Sequence, residues 1–253
     1  MYTKKTPTKR QKTMNRKHIL SLLAATLLTA TVSLLTACGS DDDDTTVPNI
    51  TPEATGEFTD DRDGNVYHYV TYGGLDWTVE NARYDTGNDD TRSIYLSNDA
   101  IGDEEGTAAQ QTVNTYGYLY SWQGAQEAVP DGWRLPTDDD WKKLEMALGM
   151  TQQQADADGW RGTVQGTLMH QKDGTGLNMR YGGFMDRLST SYASKYYYIQ
   201  AMGYYWTATP GDDRQSTAYI RKLMYNRQDV YRHTSSVQNM MSVRFVRDTP
   251  AKK

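Results

Sequence analysis

An apolar run between residues 19 and 35 divides this 253-residue chain into two parts of different character. The 18 residues before the run carry seven basic side chains and no acidic one, and the run leads into Leu35-Thr36-Ala37-Cys38. A basic head, an apolar middle and small residues before a cleavage point are typical of a secretory signal peptide. We therefore expect residues 1–37 to be an export signal and the folded domain to follow it.

Cys38 is the only cysteine in the chain and stands directly after the expected cleavage point. The segment that ends there resembles the lipobox of bacterial lipoproteins. The resemblance implies that the Cys38 thiol is lipidated and anchors the protein to a membrane, since each buried methylene group contributes about 0.8 kcal/mol. A single transmembrane helix is the alternative, but five Ser and Thr residues interrupt the run and acidic residues follow it. Whether the signal starts at Met1 or Met14 stays open.

Residues 38–56 have no periodic apolar pattern, which favours an acidic, flexible tether. Ser40 and the run Asp41–Asp44 look like the export signal of Bacteroidetes lipoproteins. This resemblance implies an outer membrane lipoprotein exposed on the cell surface.

The net charge limits the class of partner. The signal removes seven of the 27 basic residues, which leaves 20 against 32 acidic residues, a formal charge of −12. Nucleic acid is therefore not expected as a partner, because contacts to phosphates need clustered cations. With one cysteine, no disulfide forms within the chain, and a single domain must be stabilised by its core.

Local patterns after the tether predict an α+β domain with two main helices, short antiparallel strands and long irregular loops. A turn at residues 61–65 precedes the first strand, and Thr137 is expected to cap a helix that buries Trp141, Leu144 and Leu148 and ends at Gly149. A shorter helix is expected to end at Ala128. The predicted strands cover residues 66–70, 75–79, 204–209, 218–223 and 242–246.

Residues 85–115 read as a long acidic insertion, with one basic residue, Arg92, against seven acidic ones. A loop of this length is usually functional or disordered. We expect it to be disordered or loosely packed rather than a cation site, although its role stays open.

Seven segments between residues 57 and 248 follow one another in a characteristic order. They are Asp63-Gly64-Asn65-Val66-Tyr67, Trp77-Thr78-Val79-Glu80-Asn81, Tyr116-Gly117-Tyr118-Leu119-Tyr120-Ser121-Trp122, Gly132-Trp133-Arg134-Leu135-Pro136-Thr137, Gly159-Trp160-Arg161-Gly162, Tyr205-Trp206-Thr207-Ala208-Thr209 and Ser242-Val243-Arg244-Phe245-Val246-Arg247-Asp248. Together they resemble the Fibrobacter succinogenes major paralogous domain, a family of secreted bacterial modules. The family looks like a relative of C-type lectin-like folds and of the sulfatase-modifying enzymes.

This resemblance implies a domain over residues 57–248 with a short tail at 249–253, and first and last strands that lie together. It also implies a contact between Val129 and Phe245, because many family members carry cysteines at these positions. It does not assign an activity, because a fold alone does not determine function.

No catalytic or metal-binding constellation is found in the sequence, so we expect neither an enzyme nor a cofactor. The sulfatase-modifying enzymes use a cysteine pair, whereas Cys38 is the only cysteine here. His68, His170 and His233 lack the spacing of metal ligands. The segment from Asp61 starts like a calcium loop, but Val66 stands where that loop needs glycine.

The aromatic content suggests a binding surface, since 19 Tyr and 6 Trp accompany only 3 Phe. We expect Trp206 in the core, and no acid–asparagine pair follows it as in calcium-dependent sugar binding. The candidate ligand-binding residues are Tyr204, Tyr205, Arg221, Tyr225 and Arg227. The sequence thus favours a surface-anchored, non-catalytic binding or adhesion lipoprotein with a glycan or protein ligand. An accessory or tip subunit of a surface fibre is the alternative, and an enzyme is least favoured.

Replacing Cys38 tests the anchor. Cys38→Ala is expected to release the protein from membranes or to leave its precursor uncleaved, because no thiol remains to be lipidated. Membrane fractionation and the mobility of the precursor on a gel measure both effects, with Ser33→Ala as a control that keeps the thiol. Normal cleavage and unchanged fractionation of Cys38→Ala would contradict the lipoprotein interpretation.

Overall fold

A computed structural model of the chain describes residues 46–95, 106–190 and 195–250. All of them belong to the second of two compact units, which covers residues 44–253. The export signal, Cys38 and Asp41–Asp44 lie outside the described residues, so the expectations about them stay predictions. In the described ranges, no helix combines the length and the apolar character needed to cross a membrane.

The described chain forms an α+β fold, as predicted. Its described elements, in chain order, are β1 (Thr55–Thr59), β2 (Val66–Tyr72), β3 (Leu75–Thr78), β4 (Arg92–Ser93), α1 (Thr107–Tyr116), β5 (Leu119–Tyr120), α2 (Trp122–Glu127), α3 (Asp138–Ala147), α4 (Gln152–Asp156), β6 (Gly159–Arg161), α5 (Gln165–His170), β7 (Gly182–Met185), β8 (Tyr196–Ile199), β9 (Met202–Pro210), β10 (Thr217–Met224), β11 (Val230–Ser236) and β12 (Val246–Asp248).

One sheet joins the first described strands to the last one, in the order β1-β2-β3-β12. The β1–β2 hairpin closes at the predicted turn, where the Asp60 amide donates to the Asn65 carbonyl and Gly64 adopts a positive φ of 76°. β12 pairs antiparallel with β3. The first and last described strands therefore share one sheet but lie at its opposite edges, with β12 beside β3.

A second, larger sheet has six strands in the order β6-β11-β10-β9-β7-β8. Its neighbours are antiparallel except for β7 and β9, which run parallel. A short third ladder pairs β4 with β5. The larger sheet carries the candidate site.

Helix α3 follows its sequence prediction closely. The Thr137 hydroxyl accepts a hydrogen bond from the Asp140 amide, and the Asp140 carboxylate accepts one from the Thr137 amide, which forms a capping box. Trp141, Leu144 and Leu148 are fully buried in the core that they share with both sheets. The helix thus has the buried face that its spacing predicted.

Arg244 is a fully buried cation that joins the last strands to the rest of the domain. Its guanidinium donates to the side-chain oxygen of Asn81 and to the carbonyls of Thr78, Leu177 and Asn178. Burial lowers the pKa of Arg244, and four acceptors around it compensate for the lost hydration.

Three predictions about the elements need correction. The described part of the acidic insertion is ordered, because α1 buries Ala109 and Val113 and β4 pairs with β5. Its residues 96–105 lie outside the described range. The folded part begins before residue 57, since β1 starts at Thr55 and Val47 and Ile50 pack against the core. The strand predicted at residues 242–246 is instead β12, preceded by isolated bridges at residues 240–242.

Deleting the side chain of Phe245 tests the core. Phe245 is fully buried, and Val129 packs against the cluster to which Phe245 belongs. The direct contact between the two residues stays a prediction. Phe245→Ala is expected to lower the free energy of unfolding by about 3–5 kcal/mol, the usual effect of removing a buried Phe. Urea unfolding measures the change. Leu188→Ala, at a residue 63% exposed, is the control, and an equally small effect of both substitutions would contradict the core assignment.

Candidate binding surface

The six-stranded sheet contains no acidic residue in any of its strands, although the chain as a whole is acidic. It does contain four Lys and Arg residues, namely Arg161, Arg221, Lys222 and Arg232. Because side chains alternate between the two faces of a strand, Arg221 and Lys222 lie on opposite faces. The two faces of the sheet consequently have different chemistry.

The inner face presents the three arginines to helix α3. Glu145 of α3 is fully buried and accepts from Arg161 Nη2 at 2.6 Å and from Arg221 Nε at 2.6 Å. Asp138, two turns away on the same helix, accepts from Arg221 Nη1 at 2.7 Å and Arg232 Nη2 at 2.8 Å. We call these five residues the buried ion network.

The buried ion network favours the ionised form of Asp138. Burial on its own would raise the pKa of Asp138, but the hydrogen bonds and charges of Arg232 and Arg221 outweigh it and hold that pKa well below its usual value. Lys142 and Asp158 extend the network toward solvent, through Lys142 Nζ to Asp138 at 3.4 Å and Arg232 Nη1 to Asp158 at 2.7 Å. The inner face is therefore fixed to α3 by directed ionic contacts.

The outer face carries a line of aromatic side chains with one lysine among them. One residue from each of the six strands takes part, and we call this set the aromatic row. In the order of the strands across the sheet it consists of Trp160, Tyr231, Lys222, Tyr204, Phe184 and Tyr197. With neighbouring strands about 4.8 Å apart, the row crosses about 24 Å of the sheet.

Neighbouring members of the row contact each other throughout. The ring centroids of Trp160 and Tyr231 are 5.2 Å apart, and those of Phe184 and Tyr204 are 4.7 Å apart. Phe184 and Tyr197 stack at 5.4 Å. Lys222 Nζ lies 4.0 Å from the Tyr231 ring centroid and 5.5 Å from that of Tyr204, which closes the line.

Five members of the row are partly exposed, whereas Tyr204 belongs to a buried core cluster. Tyr204 is the most enclosed member at 6% exposure, and burial raises the pKa of its hydroxyl well above the usual value. At one end Arg227 lies over the Trp160 ring at 4.3 Å, paired with Asp229. At the other end Tyr198 is 53% exposed, with its ring 5.9 Å from that of Tyr197.

Tyr198 has a strained backbone, with a φ of +66°. A bulky residue in the left-handed region is uncommon, and such a conformation costs about 1–3 kcal/mol. The strained backbone places a large aromatic ring in solvent beside the row. Because the ring is exposed, its burial does not compensate for the strain.

The structure separates the residues proposed from the sequence into two groups. Tyr204 belongs to the aromatic row, Arg227 covers its Trp160 end, and Tyr225 is 64% exposed beyond the end of β10. Tyr205 and Arg221 are a correction, because both are fully buried on the inner face, where Tyr205 packs in the core and Arg221 belongs to the ion network. Trp206 is buried in the core, as expected.

The sequence analysis missed five members of the row, which are Trp160, Phe184, Tyr197, Lys222 and Tyr231. They come from five strands and are far apart in the sequence, so no local pattern joins them. The run Tyr196-Tyr197-Tyr198 and the motif containing Trp160 were the available signals.

A cleft of about 680 Å³ lies beside β4, β5 and α1. Its acidic residues are already neutralised, since Arg92 pairs with Asp85 at 2.8 Å and with Asp89 at 3.6 Å. Arg92 also lies over the Tyr118 ring at 4.8 Å. Across the described ranges, no group of three or more His, Cys, Asp or Glu side chains is arranged to hold a metal ion.

The comparisons with known proteins identify the family. The model of the Fibrobacter succinogenes major domain matches residues 70–247. The chain belongs to this family. Neither a curated protein nor a solved structure matches the chain. The relation to C-type lectin-like folds stays a prediction.

The segments that carry the resemblance to the Fibrobacter succinogenes major domain supply mainly core residues. Trp77, Trp206, Arg244 and Phe245 come from three of these segments and are fully buried. Trp160 is different, because it comes from another segment and lies in the half-exposed aromatic row. The family signature therefore explains the fold more than it explains the surface.

Removing one carboxylate tests the ion network. Asp138→Asn is expected to lower the free energy of unfolding by about 3–5 kcal/mol, because Arg221 and Arg232 lose their shared charge. Since the pKa of Asp138 is depressed in the folded state, its contribution is present above the unfolded value of about 4 and is lost as the pH falls below it. Thermal unfolding between pH 7 and pH 2 should show a smaller acid dependence for Asp138→Asn than for the wild type.

Asp139→Asn is the matched control for this experiment. Asp139 is in the same first turn of α3, but its side chain is 83% exposed and makes only a surface pair with Lys142 at 3.6 Å. A surface pair contributes about 0–1 kcal/mol. Equal effects of the two substitutions would show that the network does not stabilise the fold.

Proposed function

We propose that this protein is a surface-anchored, non-catalytic binding lipoprotein, and that its aromatic row binds an extended glycan. The observation that carries the proposal is the line of side chains, one from each of six strands, that crosses the outer face of the sheet. The export signal and Cys38 supply the anchor in this proposal. The domain supplies the contact surface.

A purely structural role explains part of the row. Cross-strand aromatic pairs stabilise sheets by about 0.2–1 kcal/mol each, and five of the six members are aromatic. Two features work against stability, however. Tyr198 keeps an exposed ring in a strained conformation, and Lys222 places a half-buried ammonium between two rings. Selection for stability alone favours neither of these, whereas binding accounts for both.

The chemistry of the row suits a sugar chain. Aromatic rings present apolar faces against which the C–H groups of a pyranose stack, while Tyr hydroxyls and the Trp indole N–H supply polar contacts at the edges. The row is a line rather than a deep pocket, which matches a linear polymer better than a small molecule. Its length of about 24 Å accommodates several consecutive sugar units.

Two ring deletions test the proposal. Trp160→Ala removes a ring at one end of the row, and Tyr198→Gly removes a ring beside the other end. An aromatic contact contributes about 0.5–1.5 kcal/mol and ~1.4 kcal/mol corresponds to a factor of ten, so each change should weaken binding up to roughly ten-fold. A glycan array on the purified full chain selects the ligand, and titration calorimetry measures its affinity.

Tyr198→Gly makes the test independent of folding. Glycine adopts a positive φ without strain, so this variant should unfold at the same temperature as the wild type or at a higher one, while its binding falls. Val66→Ala, at a residue 43% exposed in the other sheet, is the control for loss of apolar surface. If the glycan affinity is unchanged in both Trp160→Ala and Tyr198→Gly, the row is not the binding surface.

A further inference from the structure

Lys222 is the one Lys or Arg residue of the six-stranded sheet that lies outside the buried ion network. The three arginines of the sheet all pair with Asp138 or Glu145 on the inner face. Lys222 alternates onto the outer face, near the centre of the aromatic row, between Tyr231 and Tyr204. The Lys222 ammonium therefore lies on a face of the sheet whose strands provide no carboxylate.

The contacts of Lys222 are aromatic. Its Nζ lies over the rings of Tyr231 and Tyr204, and among the described residues no carboxylate lies within ion-pair distance of it. Burial lowers the pKa of Lys222, and no neighbouring charge opposes that effect. Arg227, the cation nearest the Trp160 end, is by contrast already paired with Asp229 at 2.7 Å. Lys222 therefore offers three N–H donors on a half-exposed surface without an anionic partner.

Cation–π contacts with Tyr231 and Tyr204 stabilise the Lys222 ammonium by about 0.5–1 kcal/mol each at exposed sites, which accounts for only part of the choice of lysine at this position. The neighbouring inward residues Arg221 and Leu223 stabilise the fold through ions and apolar packing, but Lys222 contributes to neither. A Met or Leu at position 222 would fill the space between the two tyrosines without partial dehydration of a charge. An anionic group on a ligand would pair with the Lys222 ammonium and compensate for its partial dehydration.

We infer that the ligand of the aromatic row is an acidic polysaccharide, whose carboxylate or sulfate group accepts a hydrogen bond from the Lys222 ammonium while flanking sugar rings stack on Tyr231 and Tyr204. This inference rests on the proposed function and specifies its substrate class. Charge complementarity supports it, because the row has one unpaired cation and its six strands have no acidic residue.

Matched polysaccharides test the charge without changing the backbone of the ligand. Polygalacturonate and its full methyl ester differ only in the carboxylate, and dextran sulfate and dextran differ only in the sulfate. The full chain is expected to bind the charged member of at least one pair roughly ten- to hundred-fold more tightly than the neutral member, the range for one charge-assisted hydrogen bond. The pair that shows the preference identifies the anionic group.

Variants at position 222 assign the preference to this residue. Lys222→Met keeps the aliphatic stem and removes the charge, so the affinity for the charged polymer should fall to that for its neutral partner. Lys222→Arg keeps the charge and should retain most of the preference. Lys172→Met removes an exposed lysine outside the sheet and should leave the preference intact. Circular dichroism and thermal unfolding show that each variant is folded.

The outcomes separate this inference from the proposed function. If charged and neutral partners bind equally and Trp160→Ala weakens both, the glycan surface is correct and the assignment to acidic polysaccharides is wrong. If the charge preference persists in Lys222→Met, another cation is responsible and the inference also fails. If the preference follows Lys222 but neither Trp160→Ala nor Tyr198→Gly affects binding, the ligand contacts Lys222 without extending along the row, and the proposed function is wrong in that respect.

Discussion

The contact between helix α3 and the six-stranded sheet is ionic, and the rest of the domain is arranged around it. Asp138 and Glu145 lie seven positions apart on one face of the helix, and three strands of the sheet each direct an arginine toward them. A buried charge without a partner is strongly destabilising, so helix and sheet must meet in one register. An apolar interface of the same area would tolerate sliding, whereas the bridge that Arg221 makes between Asp138 and Glu145 does not.

This ionic contact also determines what the other side of the sheet can carry. Once the arginines of β6, β10 and β11 point inward, the alternating neighbours Trp160, Lys222 and Tyr231 must point outward. The same strands therefore produce a charged inner face and an aromatic outer face. The continuity of the row follows from the fixed register of the inner face, which explains how Trp160 and Tyr231, 71 positions apart in the sequence, become neighbours.

Local signals were sufficient for the parts of the fold that depend on neighbours in the sequence. Thr137 and Asp140 predicted the start of α3, and Trp141, Leu144 and Leu148 predicted its buried face, because capping and helical spacing act over a few residues. Helix α1 escaped prediction because Gly106 provides no side-chain cap and its first turn has no acid. The aromatic row escaped for another reason: its members become neighbours only through the pairing of six strands. The same limit explains Tyr205 and Arg221, which are candidate ligand-binding residues in the sequence but lie on the buried face of the sheet because of strand alternation.

The pairing of β12 with β3 has a consequence for the order in which the domain folds. The Phe245 amide donates to the Thr78 hydroxyl and Arg244 donates to Asn81, so the first sheet is completed by residues more than 160 positions later in the chain. Contacts between such distant residues slow folding, because the entropy of closing a long loop must be lost before the contacts form. Until β12 arrives, β3 is an open edge with unpaired amides, which invites pairing with other chains. A protein of this design is expected to need protection from aggregation until its last strand is in place.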